Sequence, residues 1–160
     1  MPSKNASLAL YQKFEKLPKG KWLFSKAASF KAPYFRTIRP RIIEFRPGHI
    51  EVAMKKRWSV HNHIGTVHAI ACCNLAEYAM GVMVDLSRPA HIRWIPAGMD
   101  VQYLKKANSD LRAIAQLPAN LDWEVEQTMI VPVRILDRDG VEVVHADIRV
   151  KISRDPKVPA

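Results

Sequence analysis

Apolar residues fall at helical spacing from Ser7 to Leu17, where Leu10, Phe14 and Leu17 recur against Lys13, Glu15 and Lys16, and Pro18-Lys19-Gly20 ends the pattern. The next stretch, Lys21 to Thr37, carries Trp22, Leu23, Phe24, Phe30, Tyr34 and Phe35 among basic residues and is broken by Pro33, which predicts helix and loop. After Pro40 the period shortens. Ile43 and Phe45 precede an Arg46-Pro47-Gly48-His49 turn, and Ile50, Val52 and Met54 then alternate with Glu51, Ala53 and Lys55, as two strands of a hairpin do. From Thr66 to Val84 the chain is apolar on nearly every face apart from Asn74 and Glu77, and is too long for a typical strand; it predicts a central buried helix. Beyond Ser87-Arg88-Pro89 come strand-like runs at Ile92 to Ile95, Val101 to Leu104, Leu111 to Leu117, Val125 to Leu136 and Val141 to Ile152. The last two are joined by Asp137-Arg138-Asp139-Gly140, and Ile148, Val150 and Ile152 alternate with Asp147, Arg149 and Lys151. The expected architecture is α+β, an antiparallel meander curled around one long helix, because a helix apolar on most sides needs cover on most sides.

The chain has 160 residues, 48% apolar and 25% charged, which suits one domain with a real core and excludes a disordered or disulfide-stapled chain. Its net charge of +10 is uneven. Residues 1 to 57 hold 14 basic and 3 acidic side chains, while the remainder is close to neutral. Such a first third is expected to serve as a solvated face or to bind the phosphates of a polyanion, though no recognised nucleic-acid motif accompanies it. Cys72 and Cys73 are adjacent and read as small core residues in a reducing, cytoplasmic setting. The N-terminus lacks the pattern of a signal peptide. The run Ile64 to Val84 approaches spanning length but holds His68, Asn74 and Glu77, which argues for a core helix instead of a membrane span.

The chemistry concentrates in HNHIGTVHAIACCNLAEYAMG, residues 61 to 81. Gly65-Thr66 offers a bend and an N-cap, after which free backbone N–H groups near His68 and Ala69 could stabilise an oxyanion. Glu77 stands nine residues after His68, an ionisable carboxyl among apolar neighbours, and burial would raise its pKa and suit it to act as base or nucleophile. Asn62 can donate or accept a hydrogen bond to a water or carbonyl. His61, His63 and His68 do not fall on one helix face and have no accompanying carboxylate or cysteine cluster, so no metal is expected.

These residues resemble the hot-dog fold thioesterases, in particular the PaaI-like branch, many of which carry N-x-x-G-T-x-H-G-G followed by an acid on the helix. Asn62, Gly65, Thr66, His68 and Glu77 match that spacing, and the resemblance runs from about Pro40 to Arg154. It implies a basic helical extension over 1–39, a hot-dog domain over 40–154 and a tail over 155–160. It also implies a homodimer or dimer of dimers, with Glu77 of one chain facing Asn62 and Ala69 of the other. In that scheme Glu77 acts as nucleophile or general base on an acyl-CoA thioester, Asn62 positions water or substrate, and the Ala69 N–H polarises the carbonyl. His68, at the helix start, is counted with the catalytic residues, Gly65 and Thr66 are expected to bind substrate, and CoA enters only as part of the substrate. Two positions depart from the pattern: Ala69-Ile70 replaces Gly-Gly, and Ile95-Pro96-Ala97 stands where some relatives place Ser or Thr. The first departure suggests the alternative of a non-catalytic acyl or acyl-CoA binding protein. A basic module for nucleic acid or anionic membrane is the third reading.

Overall fold

The computed structural model describes residues 5–118, 121–123 and 126–157. Two helices, α1 (Ala6–Glu15) and α2 (Gly20–Lys31), are followed by a 3-10 turn over Pro33–Thr37. Then come strands β1 (Arg41–Arg46) and β2 (His49–Met54), a second 3-10 turn at Trp58–Val60, and the long helix α3 (Ala69–Ser87). Strands β3 (Ile92–Tyr103), β4 (Leu111–Gln116), β5 (Thr128–Leu136) and β6 (Glu142–Arg154) complete the chain. The expected α+β arrangement is present: one antiparallel sheet packs around α3, whose Leu75, Ala76, Ala79, Met80, Met83 and Val84 are fully buried. By length and composition α3 could cross a membrane, but here its apolar surface is the core of the sheet.

The strand order, β1-β2-β4-β5-β6-β3, corrects the simple meander. The runs expected as two strands, Ile92 to Ile95 and Val101 to Leu104, form the single strand β3, which stops at Tyr103 and is interrupted by a bulge between Pro96 and Gly98. It pairs with β6 and not with its sequence neighbour β4. The crossing segment is tied down on the way: Leu104 and Lys105 donate to the Val143 carbonyl, and Ala107 accepts from the Val67 N–H. A proline in a central strand removes a ladder donor, and β5 accommodates Pro132 because its pairing with β4 ends at Val133. The hairpin at Asp137 to Gly140 forms as expected, with Gly140 at φ +78 and the Asp137 carboxylate accepting from the Asp139 and Val141 N–H groups. The expected start of the β5 run at Val125, and residues 158–160 of the tail, lie outside the described residues.

The N-terminal helices share the core. Tyr11 is buried edge-on against Phe24 (5.1 Å) and Phe45 (5.0 Å), contacts worth about 0.5–1.5 kcal/mol each beyond area burial. Asn5 caps α1 by accepting from the Leu8 N–H, while its amide donates to the Asp85 and Arg88 carbonyls at the far end of α3. Ser25 accepts from the Ile42 N–H at 2.9 Å, fastening α2 to β1.

Candidate functional site

The segment before α3 is a closed turn. Asn62 Oδ1 accepts from the N–H groups of Ile64 and Thr66 (3.1 Å each), and its Nδ2 donates to Thr66 Oγ1 at 2.7 Å. The Asn62 N–H bonds the Thr66 carbonyl and the Gly65 N–H bonds the Asn62 carbonyl. Gly65 holds φ +78 with open space where a Cβ would stand, so its role is backbone conformation and not close packing. Thr66 is buried and serves this turn; it is not the helix cap. The cap is His68, whose extended backbone precedes α3 and whose Nδ1 accepts from the Ile70 N–H at 3.0 Å. A histidine can cap in this way because an unprotonated ring nitrogen is an acceptor, and in the neutral ring the proton then rests on Nε2. His68 is exposed, and its binding to backbone at the helix start agrees with the place read for it in the sequence.

These bonds narrow what Asn62 can do. Both lone-pair positions of its carbonyl are occupied within the turn, so it keeps one amide N–H to donate outward and no acceptor to offer. The Ala69 N–H, at the first position of α3, has no acceptor among the described residues, as expected for the first turn of a helix.

Along α3 from Ala69, steps of four residues reach Cys73, Glu77 and Gly81, which therefore share one face. All four are half-buried, whereas Cys72, Ala76 and Met80 on the neighbouring face are buried. This strip runs beside β3. Trp94, Pro96, Met99, Val101 and Tyr103 pair with Ile152, Val150, Ile148, Ala146 and Val144 of β6, all buried residues, and so point to the same side as the core. Two contacts join strip and strand. Cys73 Sγ lies 3.3 Å from Tyr103 Oη, and the Trp94 ring stands on Gly81, 3.0 Å from where a Cβ would be. Glu77 lies between them, one turn from each, in a segment about 12 Å long. It makes no hydrogen bond or ion pair among the described residues, so its carboxylate is available to a ligand or a water. Trp94 is steadied by Asp85, whose carboxylate lies 3.5 Å from the indole Nε1 and also holds Arg88 at 3.0 Å.

Reading the cysteines as core residues succeeds for one and fails for the other. Cys72 is buried, and burial pushes its thiol up to about 12, leaving it inert. Cys73 faces the strip, and its hydrogen bond to Tyr103, with burial adding to it, pushes that phenol up to about 12, so Tyr103 keeps its proton. Cys73, Gly81, Trp94 and Tyr103 are the site-lining residues missed in the sequence. The signal for the helical two was their four-residue spacing from Glu77; nothing local marked the other two. Pro96 and Ala97 place no hydroxyl on β3 near Glu77. Ile70, the second residue of the Ala69-Ile70 departure, is 55% exposed and follows the Ala69 N–H directly. Among the described residues no three His, Cys, Asp or Glu side chains come together as metal ligands.

Residues 20–152 match the family described as a domain of unknown function, DUF4442. No curated protein matches the chain. Among solved structures, the structural-genomics target APC5556 is 43% identical over 93% of this chain and 99% of its own, with a TM-score of 0.81. A Pseudomonas aeruginosa protein of unknown function, described as a probable thioesterase, is 21% identical over 87% of this chain and 97% of its own (TM-score 0.76). A Haemophilus influenzae thioesterase is 15% identical over 78% and 87% (TM-score 0.68). At those identities the last two show the shared fold, and none of the likenesses singles out the PaaI-like branch. On its sequence match and its sheet-wrapped helix, the chain belongs to the DUF4442 family and has the hot-dog, thioesterase-like fold.

Proposed function

We propose that the protein hydrolyses an acyl thioester, with acyl-CoA as the substrate class, using Glu77 as general base. The observation that carries this reading is Glu77 itself: a half-buried carboxyl with no partner among the described residues, midway along a strip bounded by Tyr103 and Trp94. In the proposed reaction Glu77 takes a proton from water, whose oxygen adds to the thioester carbonyl. The Ala69 N–H bonds the resulting oxyanion, and collapse expels the thiolate, which regains the proton. Asn62 donates its free N–H to the water or the carbonyl. His68 holds the first turn of α3 so that the Ala69 N–H keeps its aim.

The site is completed by a second copy. β3 is an edge strand of 12 residues, and an edge of that length is a template for pairing. Within one chain, Ala69 and Glu77 are two turns apart on the same helix, about 12 Å along its axis. A copy joined edge to edge at β3 brings the Ala69 and Asn62 of one chain toward the Glu77 of the other. Light scattering at micromolar concentration is expected to show a dimer or dimer of dimers, and a monomer alone would remove the shared site.

Trp94 is the far wall of the acyl site in this reading. Its ring stands on Gly81, one turn beyond Glu77, and closes the strip there. Trp94→Ala is expected to move the preferred acyl chain to greater length, each added methylene gaining up to about 0.8 kcal/mol of burial. A chain-length series of acyl-CoAs checks this; an unchanged preference excludes Trp94 as the end wall.

Thiol release from a panel of acyl-CoAs, followed with a colorimetric thiol reagent, tests the activity directly. The exposed Ile70 favours the second reading, a protein that binds acyl-CoA without turning it over, because it narrows the approach to the Ala69 N–H. Saturable acyl-CoA binding with no thiol release would establish that reading instead.

A further inference from the structure

Part of the basic first third lies on α2, away from the Glu77 strip. α2 packs on β1, at the opposite edge of the sheet from β3 and the Glu77 strip. Its inner face buries Phe24, Ser25 and Ser29. Its outer face carries Trp22, Lys26 and Phe30 at four-residue intervals, and Tyr34 follows on the 3-10 turn. The three rings are 42%, 77% and 66% exposed, with Leu17 at the preceding turn 51% exposed. Lys26 Nζ stands 4.3 Å from the centre of the Trp22 ring. From residue 16 to residue 43 the chain has eight basic side chains and no acidic one. At the start of this face a cleft of about 640 Å³ is rimmed by Lys19, Lys21, Arg41 and Trp22, with Glu15 the one carboxylate.

We infer that this face of α2 and the turn after it is a docking surface for an anionic lipid bilayer. Exposed aromatic rings interleaved with lysines on one side of a helix are the composition of an interfacial anchor: the rings enter the headgroup region while the cations meet lipid phosphates. Charge and apolar surface act together here, which a purely solvated basic face does not need. The arrangement fits a bilayer better than a single-stranded nucleic acid. Lys26 occupies a face of Trp22 that a stacking base would take, and the rings lie along one convex helix and not across an open sheet. Because α2 lies away from β3, a dimer joined at β3 keeps both docking faces free, and the inference stands whether or not Glu77 is catalytic.

The full chain is tested by co-sedimentation with vesicles of phosphatidylcholine alone and of phosphatidylcholine with phosphatidylglycerol. Binding is expected to the anionic vesicles, weakening as salt rises. Phe30→Ala should lower it about tenfold or more and Lys26→Ala about fivefold, following the usual contributions of a buried ring and of one cation at a charged surface. Both side chains are exposed, so both variants should melt as the parent does. The inference is overturned by absence of vesicle binding, by equal affinity for the two lipid compositions, by variants that bind like the parent, or by capture of single-stranded RNA without vesicle binding.

Discussion

Glu77→Gln should lower kcat for acyl-CoA hydrolysis by a hundredfold or more, about 2.7 kcal/mol of transition-state stabilisation, with little change in melting temperature or assembly. Glutamine keeps the size of the side chain and can still hydrogen-bond, but its amide cannot take a proton from water. The small stability effect follows from the structure: Glu77 has no hydrogen bond or ion pair among the described residues to lose, and it is half-buried on the strip of α3 that runs beside β3. A structural acid gives the opposite pattern, a lower melting temperature with turnover intact. Parent-like hydrolysis by a well-folded Glu77→Gln dimer would exclude Glu77 as the base. The measurement is steady-state thiol release beside a thermal melt of the same preparation.

The second large effect is expected on stability. In Gly20→Ala a Cβ would stand 1.6 Å from the Phe14 carbonyl oxygen and 2.6 Å from its carbon. Those atoms are backbone, so no rotamer change can relieve the overlap. The end of α1 must move away from the start of α2, and this disturbs the Phe14–Phe24 and Tyr11–Phe24 contacts that tie both helices to the core. A cost of about 2–4 kcal/mol is expected, at the upper end for a single added methyl because the clash is with main chain. Chemical denaturation read by circular dichroism measures it, and a variant as stable as the parent would show that the helix junction yields freely. The junction also presents the basic aromatic face of α2, so this variant should weaken vesicle binding as well.

Which parts of this molecule could be read before folding depends on how far apart the deciding residues are. Periodicity located α1, the β1–β2 hairpin, α3 and the β5–β6 hairpin, because each declares itself through neighbours within a few residues: alternation in Ile148, Val150 and Ile152, a turn at Asp137 to Gly140, an apolar run through α3. The turn from Asn62 to Thr66 was legible for the same reason, since its bonds span four residues or fewer. The helix cap was misplaced by two positions because Thr is the commoner cap, and only the fold shows that Thr66 is already engaged by Asn62 while His68 Nδ1 is free to accept. The path of β3 was not legible. A bulge split its pattern in two, and its partner β6 is chosen by where the Leu104 to Asp110 crossing can run, not by any local signal. The candidate site follows the same division. By itself the sequence determined which helix carries the acid and which turn precedes it. Only the tertiary structure decided that Trp94 and Tyr103 bound the strip around Glu77, because both come from an edge strand that is brought beside α3 by the curvature of the sheet and not by any local pattern.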